Sequence, residues 1–160
     1  MKQNRVQRAI EKMKENNLSQ MLVSSSDSLF YLTGKWFHTG ERMIALLIRE
    51  DGNHKLIINK MFPVDEQIGV DVVRFEDTDN PTEILAKYID KDKTLGVDKK
   101  WPAHFLISLM KLNSAKDYEN ASPIVDDLRR IKDAEEIAIM KEASRLNDEA
   151  MEELWTKFEE

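Results

Sequence analysis

Residues 42–60 read RMIALLIREDGNHKLIINK. Two apolar runs stand on either side of Asp51-Gly52, and that dipeptide is a strong hairpin signal, because both central positions of a type I′ turn require positive φ. The spacing therefore predicts two antiparallel strands joined by a tight type I′ turn. The longer run, MIALLI at 43–48, is far too short to span a bilayer.

Upstream, Val6, Ala9, Ile10 and Met13 fall at i, i+3, i+4 and i+7, one face of an opening helix. MLV at 21–23 reads as a buried strand. Ser26 or Asp27 is placed to cap a short helix, DSLFYLT, that Gly34 ends. An irregular loop rich in aromatics, KWFHTGER at 35–42, leads into the hairpin.

Downstream, Pro63 is placed to open a short helix through Gln67, and VDVVRF at 70–75 reads as a strand. Asn80-Pro81-Thr82-Glu83 supplies a cap, a first-turn proline and a capping-box glutamate, with Ile84, Leu85, Tyr88 and Ile89 as the buried face. TLGVD at 94–98 is a short strand. Pro102 opens a helix with Phe105, Leu106, Leu109 and Met110 inward. DYENA at 117–121 reads as a polar edge strand, and Ser122-Pro123 starts a brief helix through Arg130. Strands alternating with helices, plus one hairpin, predict an α/β domain with a mixed sheet.

Asp133 and Glu136 form a second capping box, opening a helix from Ala134 to about Phe158, roughly 37 Å long at 1.5 Å per residue. Its apolar positions (Ile137, Met140, Met151, Leu154 and Phe158) are interrupted on the same face by Ser144 and Asn147. Two readings stand side by side: a helix lying across its own domain, or a linker whose packing partner lies beyond residue 160.

Composition excludes several classes. The chain has no cysteine, so a disulfide framework, a Cys-ligated zinc and a cysteine nucleophile are all ruled out. Its 24 basic and 30 acidic residues are interspersed and leave a net charge of −6, which argues against nucleic acid and against an anionic membrane surface. With 34% charged and 41% hydrophobic residues, it reads as a globular chain. MKQNRVQRAIEKMKENN at 1–17 lacks the apolar core of a secretory signal, so a cytoplasmic setting is expected.

Residues that carry chemistry are sparse. His38, His54 and His104 are isolated, and no H-E-x-x-H occurs. The adjacent acids (Asp126-Asp127, Glu135-Glu136, Glu152-Glu153) sit on polar helix faces. Five scattered glycines make no phosphate loop, Gly-x-Ser-x-Gly is absent, and Asp27 has no acidic neighbours to complete a magnesium pocket. No complete active site and no metal site is expected in this chain.

Taken together, the opening helix, MLVSSSDSLFYLTG at 21–34, the hairpin, VVRFED at 72–77, LGVD at 95–98 and LRRIKDAEEIAIMKEA at 128–143 resemble the creatinase/prolidase metallopeptidase family in order and spacing. Tyr31, Leu32, Thr33 and Gly34 match that family's Tyr-Leu-Thr-Gly turn, and 128–143 its junction with the catalytic half. The resemblance implies a mixed, roughly six-stranded sheet flanked by helices, with a ribonuclease H-like motif, over residues 1–130. A linker helix over 131–160 is implied to lead to a separate catalytic domain.

That domain is implied to hold two divalent metal ions (Mn, Co or Zn) through two Asp, one His and two Glu, and to hydrolyse Xaa-Pro bonds. None of those ligands can be placed in this chain, so it is expected to be inactive alone. The implied partners are its own catalytic domain, a second copy in a homodimer, and an Xaa-Pro peptide.

KWFHTGERM at 35–43 further resembles the prolidase subgroup, whose loop here is implied to reach the partner subunit's active site. The residues so implicated are Trp36, Phe37, His38, Glu41 and Arg42. A dipeptidase must recognise a carboxylate one residue beyond the scissile bond and exclude longer peptides, and a loop ending in cationic or donor groups does both. In the plainer alternative, Trp36 and Phe37 cover the sheet edge while Glu41 and Arg42 pair on the surface for less than about 1 kcal/mol. An Xaa-Pro aminopeptidase, or a free-standing binding or dimerisation module without catalysis, are the other functional readings.

Overall fold

Strands β1 (Gln20–Val23) and β2 (Ile44–Arg49) form the centre of a six-stranded mixed sheet. The remaining strands are β3 (Lys55–Asn59), β4 (Asp71–Phe75), β5 (Thr94–Val97) and β6 (Asp117–Asn120), in the order β4-β3-β2-β1-β5-β6. Pairs β1/β2 and β2/β3 are antiparallel, whereas β3/β4, β1/β5 and β5/β6 are parallel. The computed structural model describes residues 1–38, 40–64 and 68–158. The helix expected from Pro63 to Gln67 falls on 65–67 and lies outside the described residues.

The run MIALLI is unbroken because helices cover both faces of the sheet. Ile44, Leu46, Ile48, Leu56 and Ile58 point to one core, with α1 (Gln3–Glu15), α2 (Ser26–Thr33) and α5 (Ser122–Arg130). Ala45, Leu47 and Ile57 point to the other, with α3 (Pro81–Ala86) and α4 (Ala103–Lys111). Strand alternation alone divides the residues this way. Each fully buried Leu or Ile contributes about 1.5–3 kcal/mol, so β2 is the chief source of core stability in the sheet. Edge strand β6 is polar, as its sequence predicts.

Local signals hold with some corrections. Val6, Ala9, Ile10 and Met13 are the buried residues of α1. Asn80 caps α3 by accepting from Thr82 N at 3.2 Å, with Pro81 in the first turn. On α3 and α4, Leu85, Phe105 and Leu109 are buried, but Met110 faces outward, because α4 turns a single narrow stripe to the sheet. Pro102 is the N-cap of α4, not its first residue. For α2 the cap position is Ser25, not Ser26 or Asp27, since Ser25 is still extended while its carbonyl already accepts from Leu29 N. Gly34 ends α2 at φ +76°.

The hairpin exists, but its turn is not type I′. Gly52 alone has positive φ (+83°), and Gly52 N donates to Arg49 O at 3.2 Å. The ladder's last pair before the turn is Leu47 with Lys55, and the chain reverses through a left-handed glycine, Gly52. Asp51 keeps negative φ: its carboxylate accepts from Asn53 N at 2.9 Å, and that bond, with help from neighbouring Arg49, holds its pKa down to about 2. His54 Nδ1 accepts from Arg49 N at 3.2 Å, and burial lowers its pKa.

The turn between β1 and α2 is fixed by a residue from another strand. Asp98, buried just past β5, accepts from Ser24 N (3.3 Å) and Ser25 N (3.0 Å) through Oδ2 and from Lys100 N (3.0 Å) through Oδ1. These bonds clamp together the carboxyl ends of two parallel strands.

Residues Met1–Leu128 form one compact unit and Arg129–Glu160 a second. The second contains α6 (Ala134–Phe158), opened by a reciprocal capping box: Asp133 N donates to Glu136 Oε2 (3.0 Å) and Glu136 N to Asp133 Oδ1 (2.9 Å). No α6 side chain is buried, and Arg145 is tied to Glu142 and Glu149 along the helix. No helix among the described residues is long and apolar enough to cross a membrane.

Candidate functional site

Loop 35–42 is held at both ends by packed structure. At its start, Thr33 Oγ1 donates to Leu29 O at 2.6 Å and accepts from Lys35 N at 3.1 Å, so the chain leaves α2 in a fixed direction. At its end, Met43 is buried in the core that contains Leu47 and Ile57.

Within the loop the aromatic residues divide. Phe37 is only 3% exposed and belongs to the core around Leu29 and Leu32. It anchors the loop from inside, so of the two loop aromatics only Trp36 is exposed. Trp36, by contrast, is 50% exposed. It packs at 5.8 Å between ring centroids against Phe30 of α2 and at 6.4 Å, edge-on, against exposed His38. Phe30 was not singled out by sequence, although its place opposite the buried face of α2, next to Leu29, marks it as outward-facing.

The cationic end is organised by a residue far away in the chain. Arg42 donates from Nε to Asp77 Oδ1 (2.8 Å) and from Nη2 to Asp77 Oδ2 (2.7 Å). Asn59, buried at the end of β3, donates from Nδ2 to the same Asp77 Oδ1 at 2.8 Å. Hydrogen bonding to Arg42 lowers the Asp77 pKa, and that of Arg42 is raised by the same contact. The expected surface pair of Glu41 with Arg42 is thus replaced by Arg42 with Asp77, because only a carboxylate approaching from the β4–α3 connection meets the guanidinium fork squarely. Nη1 stays outside this fork and keeps its donors.

Trp36 and His38 therefore form one exposed cluster with Phe30, Arg42 is fixed beside Asp77, and Glu41 is exposed. Such a surface can stack an apolar ring and donate hydrogen bonds, but its described residues contain no nucleophile–base pair. Among the described residues, no group of three or more His, Asp or Glu is placed to hold a metal ion. The divalent ions implied by the resemblance do not fit the described residues of this chain.

The Bacillus subtilis protein YkvY is 25% identical over 93% of this chain and 43% of its own length. A Pyrococcus horikoshii Xaa-Pro dipeptidase is 23% identical over 92% of this chain and 40% of its own. The crystal structure of a P. horikoshii dipeptidase superposes with a TM-score of 0.82 at 26% identity, covering 95% of this chain and 44% of that one. The chain thus spans about two-fifths of the length of these relatives. The model of the creatinase/prolidase N-terminal domain matches residues 5–131, and the chain belongs to that family.

Proposed function

We propose that this chain is the N-terminal, non-catalytic domain of an Xaa-Pro dipeptidase of the prolidase type. In this reading it acts in a homodimer, in the cytoplasm, and helps limit substrates to dipeptides. The observation that carries the reading is the match of nearly the whole chain to about two-fifths of an Xaa-Pro dipeptidase, with a similar fold in a solved dipeptidase and a match to an N-terminal domain family. The two metal ions (Mn, Co or Zn) and their ligands would belong to the catalytic domain.

Each loop residue has a task in this reading. Trp36, backed by Phe30, offers an aromatic face to the proline ring of a substrate bound in the partner subunit. His38 and the free Nη1 of Arg42 donate to its terminal carboxylate. Asp77 orients Arg42, Glu41 keeps the rim polar, and Phe37 anchors the loop. A residue beyond the proline would displace the carboxylate from these donors.

The test uses the 160-residue chain and the full-length polypeptide together. The full-length protein, loaded with Mn²⁺, Co²⁺ or Zn²⁺, is expected to release proline from Xaa-Pro dipeptides and to cut longer Xaa-Pro peptides poorly. The chain alone is expected to release none. Efficient cleavage of longer peptides would favour an aminopeptidase, and turnover by the chain alone would refute the assignment.

A further inference from the structure

Helix α6 buries no side chain, although large apolar residues recur along it. Ile137, Met140, Met151, Leu154 and Phe158 keep the alternating three-four spacing of a heptad seam, which Ser144 and Asn147 complete. Ile137, Ser144, Met151 and Phe158 take the a positions, and Met140, Asn147 and Leu154 the d positions. Each apolar member is at least 44% exposed. Arg145 pairs with Glu142 and Glu149 on the opposite face and leaves the seam clear.

An exposed a/d seam is completed by another helix, and its polar positions select the register. In an antiparallel pair each a residue faces a d residue. With Ile137 set opposite the partner's Leu154, Met140 falls opposite the partner's Met151, and Ser144 opposite the partner's Asn147. The polar residues then share one central layer, hydroxyl against amide, with apolar layers on both sides.

The flanking charges agree with that register. Position e faces e, so Lys141 meets the partner's Asp148. Position g faces g, so Glu136 meets the partner's Lys157, and Ala143 meets the partner's Ala150. Two-fold symmetry makes every such pair occur twice. Glu136 binds only a backbone N–H in the capping box through Oε2, which leaves its charge in place. A parallel pair would instead put Asp148 against the partner's Ala143 and match each polar seam residue only with itself.

We propose that α6 is a self-recognition surface that pairs antiparallel with α6 of a second copy of this chain. The pairing goes beyond the dipeptidase reading and does not rest on it.

The 160-residue chain is followed by sedimentation velocity from about 1 to 500 µM. A monomer–dimer equilibrium is expected with a midpoint of roughly 10–100 µM, because the polar layer weakens the pair. Hydrogen exchange along α6 should slow as the dimer fills, yet stay faster than in α4, since monomer is always present. Lys141→Glu should weaken the dimer by about tenfold at unchanged helical content, and adding Asp148→Lys should restore it. The chain has no cysteine, so Ile137→Cys and Leu154→Cys chains, mixed under mild oxidation, should cross-link to each other. Ile137→Cys alone should not cross-link. A monomer across the whole range overturns the proposal and assigns the seam to cover from within one chain or from a catalytic half. So does a cross-link between two Ile137→Cys chains, or a charge swap that fails to restore the dimer.

Discussion

Replacing Asp98 by alanine removes the acceptor for three backbone N–H groups at once: Ser24 and Ser25 at one oxygen, Lys100 at the other. A hydrogen bond to a charged group is worth about 1.5–3 kcal/mol, and a buried donor left unpaired costs a further ~1–3 kcal/mol. The Ser25 bond, at 3.0 Å in a buried site, should count in full. The Ser24 bond is longer at 3.3 Å, and the Lys100 amide is only partly buried and can reach water. A total of about 3–5 kcal/mol is expected on these magnitudes, a large part of a typical domain stability of about 5–15 kcal/mol. Asp98→Asn should lose less, about 1–3 kcal/mol, because one amide oxygen still serves one side while the amide nitrogen opposes the other. Urea unfolding followed by far-UV circular dichroism should lower the midpoint by about 2 M for Asp98→Ala, with an unchanged slope. A loss below about 1 kcal/mol for Asp98→Ala, or an Asn variant weaker than the Ala variant, would refute the clamp.

Other expectations are narrower. Burial lowers the His54 pKa in the folded chain, so the unfolded chain binds the extra proton first as pH falls. Stability contributed by His54 should be intact above its unfolded value of about 6.5 and decline below it; His54→Gln should flatten the fall in urea midpoint as pH drops below that value. Gly52→Ala meets open space but keeps φ +83°, so it should cost about 1–2 kcal/mol. In Gly96→Ala a new methyl would lie 2.6 Å from Ala121 Cβ, so it should cost about 1–3 kcal/mol by overpacking β5 against the residue that precedes α5; thermal melts of both variants check these losses. Along α6, which buries no side chain, hydrogen exchange should be faster after Asn147 than around Leu106, and uniform protection to Leu154 would contradict this.

Much of this fold was legible because its decisive signals are local. The α1 stripe, the two apolar runs of the hairpin, and the cap at Asn80 each depend on neighbours within a few residues. The turn type was misread because Asp51-Gly52 suits two turns; here the Asp51 carboxylate binds Asn53 N while Gly52 takes the left-handed position. The site was only partly legible. Loop 35–42 stands out by composition, but nothing nearby says that Phe37 turns inward or that Asp77, thirty-five residues on, takes the Arg42 fork. Asp98 was missed for the same reason: its meaning arises only when β1 and β5 become neighbours.

The most direct test of the proposed role is the ratio of kcat/KM for an Xaa-Pro dipeptide to that for its C-terminally amidated form. It is measured in the full-length enzyme with and without His38→Ala. Losing one charge-assisted hydrogen bond to the terminal carboxylate should cut activity on the free dipeptide by about tenfold or more. The amidated form, which lacks that charge, should change little, so the ratio falls. An unchanged ratio in a normally folded variant would mean that this loop takes no part in substrate selection.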